Sequence, residues 1–436
     1  MGRTVTAVLT TFCIQMAYLL AGYYYTATGT YDIKWTMPHC VLTLKMIGLA
    51  IDYFDGGKDQ NSLTPEQRKY AIRGVPSLLE VAGFAYFYGA FLVGPQFSMN
   101  HYRKLVQGQL TDEPGKVPNS TIPALKRLSL GLVYLVVYTL LSPYITHDYL
   151  LTDDYEVSAG RGRTARAPAG PLLDPPVSAS LSRGMTGAGS APSEAPCSFR
   201  SSLAGLSPAG YRWGAGGSPS GGAARAVQRE PPANPRRRPQ EGVCILTGLG
   251  FNGFGEDGRA EWDACANMKV WMFETNPRFT GTIASFNINT NAWVARYFFK
   301  RLKFLGSKEL SQALSLLFLA LWHGLHSGYL MCFQMEFLIV VVEKQAANLI
   351  RDSPALSGLA SVPALQPLFY LIQQTIHWLF LGYSMTAFCL FTWDKWLKVY
   401  RSVYFIGHVF FLSLLFILPY MRRALVPRKE KLKRME

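Results

Sequence analysis

The chain has 436 residues, of which 49% are hydrophobic and 13% aromatic, and only 16% are charged, with a formal net charge of +15. Soluble domains carry roughly a quarter charged residues. The low charge and long apolar runs therefore exclude a string of two or three soluble domains.

In chain order, long apolar runs fall at 6–25, 78–98, 128–145, 311–342, 365–391 and 403–420. Several reach the ~20 residues that cross ~30 Å of hydrocarbon as a helix. Shorter candidates at 40–53 and 242–254 suit tilted, re-entrant or interfacial segments. The pattern predicts an all-α polytopic membrane protein, a multi-helix bundle with no cleavable leader, since the first run is long enough to be a span. The chain divides into N-terminal membrane helices (1–155), a Gly/Ala/Pro/Arg-rich stretch (156–240) and C-terminal membrane helices (241–436). The middle stretch has no apolar periodicity and too little apolar surface to offset ordering entropy, so its composition reads as disordered. A tether to anionic lipid or nucleic acid through Arg236, Arg237 and Arg238 is the weaker reading, and no nucleic-acid partner is expected. Asn119-Ser120-Thr121 is a glycosylation sequon, which matters only if its loop faces the lumen.

After the last run come Arg422, Arg423, Arg428, Lys429, Lys431, Lys433 and Arg434. The positive-inside rule puts this tail in the cytosol. Its Lys433-Arg434 pair, two residues from the end, resembles a dibasic retrieval signal and points to the endoplasmic-reticulum membrane. Seven scattered cysteines without a CxxC pair read as small apolar residues rather than disulfides or zinc ligands.

The chemistry concentrates in the C-terminal block. His323 and His326 stand in "LWHGLHSGY", and a titratable ring among hydrocarbon is costly unless it faces protein or water. An imidazole can accept a proton and hand it on at physiological pH. Pattern alone divides His323 evenly between that role and a hydrogen bond to a neighbouring helix, and favours the second for His326. Their i, i+3 spacing places both on roughly one helical side. No HExxH motif or nearby acid accompanies them, which argues against metal. Upstream, "SFNINTNAW" holds Asn287, Asn289 and Asn291 before Trp293; carboxamides can orient a carbonyl or a nucleophile without charge, or simply cap a helix. Arg296, Lys300, Arg301 and Lys303 follow, with Arg296, Lys300 and Lys303 near one helix face. They suit phosphates at the cytosolic interface or snorkelling at its boundary.

"SFNINTNAW", with Asn287 six residues before Trp293, and "ALWHGLHSGY", with His323 in Trp322-His323-Gly324, together resemble the membrane-bound O-acyltransferases, in particular their lysophospholipid branch. "LKMIGLAIDYFDG", "FLVGPQFS" and "WDACANMKVW" extend the likeness through both blocks. The resemblance implies helices around a reaction chamber and acyl transfer from acyl-CoA to a lysophospholipid hydroxyl, most readily lysophosphatidylcholine. It implies His323 as general base, Asn287 as the group orienting the hydroxyl or thioester carbonyl, and Arg296, Lys300 and Arg301 as contacts to the phosphates of coenzyme A. No metal or resident cofactor is expected; acyl-CoA is a co-substrate. Family members carry further membrane segments ahead of the position of Met1, and membrane helices near 156–240, so an N-terminally shortened, inactive form is the alternative. A lipid transporter or scramblase is the competing class, but it predicts interrupted helices in two matching halves, and no internal repeat is visible.

Overall fold

The computed structural model describes residues 2–27, 35–92, 94–110, 119–141, 150–151 and 239–427. Of the stretch 156–240 expected to be disordered, residues 156–238 lie outside them, as does the basic tail from 428 onward with its expected retrieval signal, while Pro239 and Gln240 open a helix.

Sixteen α-helices are present among the described residues. The N-terminal block contains α1 (Val5–Thr26), α2 (Thr36–Asp55), α3 (Pro65–Tyr70), α4 (Leu78–Ala85), α5 (Met99–Val106) and α6 (Thr121–Leu141). Local signals start several of them. Thr64 with Gln67, and Ser77 with Glu80, form reciprocal capping boxes that satisfy the first N–H groups of α3 and α4. The C-terminal block opens with α7 (Pro239–Leu246) and a two-stranded antiparallel ribbon, β1 (Gly253–Phe254) with β2 (Ala260–Glu261), paired Gly253 to Glu261 and Phe254 to Ala260. Then come α8 (Val270–Thr275), α9 (Phe279–Ser285), α10 (Ile288–Tyr297), a 3-10 segment at Phe299–Leu305, α11 (Lys308–His323), α12 (Ser327–Asp352), α13 (Pro354–Ala360), α14 (Gln366–Leu390), α15 (Trp393–Ser402) and α16 (Ile406–Leu425).

Among the described residues, α1 and α16 are long and apolar enough to cross a membrane by themselves. The pair 354–360 and 363–390, bent by 69°, would make a third span. Exposed Leu9, Ile14, Leu132, Leu371, Leu379, Phe416 and Ile417 on α1, α6, α14 and α16 give these helices apolar outer faces, as contact with lipid requires.

Two runs depart from the expectation of single spans. Residues 78–98 form α4 and then turns. Gly83, Gly89, Gly94 and Pro95 together remove several kcal/mol of helix propensity, at ~1 per Gly and ~3 for Pro. Residues 311–342 are cut after His323 into α11 and α12.

Helix α12 is the hub, packing against α11, α13, α14 and α16. Its Met335, Ile339 and Val342 meet Phe380 and Leu381 of α14 and Phe411 and Leu418 of α16. At Gly328 the α12 backbone touches α14: a Cβ there would come within 2.1 Å of the Ala387 carbonyl oxygen, and Gly328 N donates to Phe391 O at 2.9 Å. Small residues at such crossings let helices gain dispersion contacts where lipid offers no hydrophobic drive. A second cluster joins the blocks, with Leu19 of α1, Leu44 and Ile47 of α2, Trp293 of α10, and Phe318 and Trp322 of α11.

Candidate active site

Helix α11 runs up to His323 and stops there because Gly324 takes φ 143°, ψ −177°, a backbone conformation open almost only to glycine. A Cβ at Gly324 would also lie 2.9 Å from Tyr329 Cε2. The sharp exit leaves the His323 ring, half-buried, amid the rings of Trp322, Tyr329, Phe333 and Phe388, whose centroids lie at 4.8, 5.7, 5.4 and 5.2 Å. No carboxylate or other hydrogen-bonding group among the described residues engages its nitrogens. The preceding residue is fixed to the N-terminal block: Trp322 Nε1 donates to Cys40 O at 2.9 Å, and Tyr23 Oη donates to Trp322 O at 2.8 Å.

His326 does not share a helix face with His323. It is the N-cap of α12, beyond the break, with its ring against Tyr329 and Phe391. The i, i+3 relation assumed one continuous helix, which Gly324 interrupts.

Asn287 caps α10 in the left-handed region, φ 49°, ψ 39°, which Asn tolerates better than most non-glycine residues. Phe286 before it bridges Met268 in antiparallel fashion, and Asn267 lies alongside. The side-chain Nδ2 of Asn267 donates to Asn287 Oδ1 (3.3 Å), Asn289 N donates to Asn267 Oδ1 (3.3 Å), and Asn289 Nδ2 donates to Ala266 O (3.1 Å). Asn291 is structural: its Nδ2 donates to Ile283 O and Phe286 O, both at 2.8 Å, closing the turn between α9 and α10.

The basic run is not one helix, since α10 ends at Tyr297 and the 3-10 segment carries the rest. Three of its cations, Arg296, Lys300 and Arg301, have acidic partners. Arg296 Nε lies 3.4 Å from Glu66 Oε1, Lys300 pairs with Glu66 Oε2, and Arg301 grips both oxygens of Asp55, with NH1 at 3.0 Å from Oδ1. The ammonium of Lys300, foremost, holds the Glu66 carboxyl below the usual range. Arg296 also stacks on the Tyr70 ring, 3.6 Å from its centroid.

Arg296 further lines a cavity of about 300 Å³ between α2, the 96–104 stretch and α10. Helix α10 presents Asn289, Trp293, Arg296 and Tyr297 to it; Lys45, Asp52, Lys69, His101 and Lys104 come from the N-terminal block. Neither His323 nor Asn287 is among its walls. Lys69, Lys104 and Asn267 had no distinguishing pattern in sequence, although Asn267 stands within the "WDACANMKVW" motif. Among the described residues no three His, Cys, Asp or Glu side chains cluster as metal ligands.

Comparison with known proteins agrees with the motifs. The membrane-bound O-acyltransferase family matches residues 20–161 and 239–386. Lysophospholipid acyltransferase 5 of Homo sapiens is 70% identical over 436 residues, all of this chain and 78% of that protein. The Drosophila melanogaster protein of the same name is 32% identical over 402 residues, 92% of this chain and 69% of that one. Membrane-bound glycerophospholipid O-acyltransferase 2 of Rattus norvegicus is 23% identical over 419 residues, 92% of this chain and 67% of that one. The chain therefore belongs to the membrane-bound O-acyltransferase family.

Proposed function

We propose that this chain is a lysophospholipid O-acyltransferase that moves an acyl group from acyl-CoA to the free glycerol hydroxyl of lysophosphatidylcholine, yielding phosphatidylcholine in the endoplasmic-reticulum membrane. The single observation that carries the chemistry is the His323 ring, half-buried at a glycine-enforced helix break, walled by four aromatic rings and bonded to no carboxylate among the described residues. A neutral imidazole in that setting is free to accept a proton.

His323 takes the hydroxyl proton as the lipid oxygen attacks the thioester carbon. The C–S bond then breaks and coenzyme A leaves as a thiolate, which takes the proton from His323 and returns the base to its neutral form. Because the thiolate leaves readily, one base plus orientation suffices without a covalent acyl-enzyme or a metal. General-base assistance is worth about 10²–10⁴-fold, and alignment of the two substrates contributes several kcal/mol more. Asn287 orients a reacting group, and the aromatic walls keep out water that would hydrolyse the thioester. Arg296, facing the cavity beside Lys69 and Lys104, suits the anionic end of acyl-CoA. Lys300 and Arg301 would reach that donor only by giving up Glu66 and Asp55.

The test is incubation of membranes carrying the protein with labelled acyl-CoA and lysophosphatidylcholine. Labelled phosphatidylcholine, formed at the same rate with and without EDTA, is expected. Inserted protein that forms no diacyl product from any lysophospholipid head group would overturn the reading.

A further inference from the structure

The carboxamide of Asn287 could serve acyl transfer with either end: its oxygen could accept from the lipid hydroxyl, or its NH2 could donate to the thioester carbonyl. Carboxamide ends are assigned from their hydrogen-bond partners, and here the chain of partners begins at a group with no ambiguity. The backbone N–H of Asn289 can only donate, and it points at the side chain of Asn267 (3.3 Å), so Oδ1 of Asn267 must face it. The Nδ2 of Asn267 is then turned toward Asn287, and the atom of Asn287 that receives it is Oδ1, at 3.3 Å. This engages the oxygen of Asn287 and leaves its NH2 to donate.

Asn267 is itself held from several sides. Its backbone N–H donates to Glu241 Oε1 at 2.8 Å, and that of Met268 to the same oxygen at 3.2 Å. Glu241 is buried and ion-paired with the equally buried Arg127 of α6. The Asn267 carbonyl accepts from Ile288 N at 3.0 Å, directly after Asn287.

We infer that Asn267 is a positioning residue for acyl transfer, which fixes the left-handed cap at Asn287 and sets its carboxamide to present NH2 to the reacting carbonyl oxygen. The inference rests on the role of Asn287 in the proposed reaction. A donor aimed where negative charge develops is stronger in the transition state than in the ground state, so the residue that aims it acts mainly on kcat.

Asn267→Asp isolates the donor. A carboxylate has almost the same shape and still accepts from Asn289 N, but offers Asn287 only an acceptor. The Asn287 carboxamide then turns to give NH2 to Asp and oxygen to the substrate. Full-length N267D, N287A and N267D/N287A are assayed in membranes with acyl-CoA and lysophosphatidylcholine, with protein levels matched. The expected result is a kcat lower by about 10–100-fold in N267D, with either KM changed less than about threefold and the double variant no slower than N287A. Full kcat in N267D beside a slow N287A overturns the inference and spares the reading of Asn287. Equal slowing by N267D in both backgrounds makes Asn267 a mere fold contact and also overturns it. Full activity in N287A removes the reading of Asn287 itself, and the inference with it. If N267D does not accumulate, Asn267→Ser, whose hydroxyl is too short to reach Asn287, is read through the same cycle.

Discussion

At the residue scale, the two histidines of one short motif stand in unlike settings, and the difference is a matter of backbone. Gly324 forces the chain out of α11, so His323 ends one helix among aromatic rings while His326 starts the next. His323→Ala should abolish acyl transfer, whereas His326→Ala should retain a substantial fraction; equal losses in product formation would undo the assignment of roles. Gly324→Ala tests the geometry itself. Its φ of 143° costs an L-residue about 1–3 kcal/mol, and the added methyl meets Tyr329. Lower thermal stability of the purified protein and a kcat loss of at least tenfold are expected; wild-type turnover would show that the break does not aim His323. The resemblance of its Trp322-His323-Gly324 context singled out His323, which pattern alone divides evenly between two roles. Its separation from His326 was hidden, because an i, i+3 reading assumes a continuous helix and Gly324 is the residue that breaks it.

At the element scale, Glu66 ties α3 to α10 through Arg296 and to the 3-10 segment after it through Lys300. The pairs are partly exposed, so each is worth at most about 1 kcal/mol. Glu66 is depressed in the folded state. Its stabilisation is therefore present above the unfolded value of about 4.3 and disappears as pH falls through the lower folded value. Glu66→Gln should lower the melting temperature slightly at pH 7, and the two proteins should converge only as pH falls below the depressed folded value of Glu66. A gap that persists in acid would assign the effect to packing rather than charge. The capping boxes at Thr64 and Ser77 and the long runs that became α1, α14 and α16 were readable locally, since each signal lies within a few turns of chain. The ion pairs were not: Glu66 and Lys300 are 234 positions apart, and a basic run looks alike whether it awaits phosphate or already faces acids.

At the scale of the whole molecule, the motif histidine depends on helices more than 280 positions upstream. Tyr23 of α1 binds the Trp322 carbonyl, and the Trp322 indole binds Cys40 of α2. Apolar periodicity could place α1 and α2 as helices but not say what they brace, because hydroxyl-to-carbonyl contacts between blocks leave no pattern in the chain. Through these two bonds the N-terminal block braces the turn that carries His323. Tyr23→Phe removes one donor and leaves a part-buried carbonyl unpaired, at a cost of about 1 kcal/mol. Most of that cost falls on the turn that carries His323, so turnover should drop several-fold while KM for acyl-CoA, for which the cavity beside α10 is the proposed site, stays near its wild-type value. Trp322→Phe breaks the companion bond, and combining the two should give less than the product of the single effects, because both act on one turn. Strictly multiplicative losses, or a Tyr23→Phe protein with unchanged turnover, would mean that the N-terminal helices support the membrane fold without positioning the base.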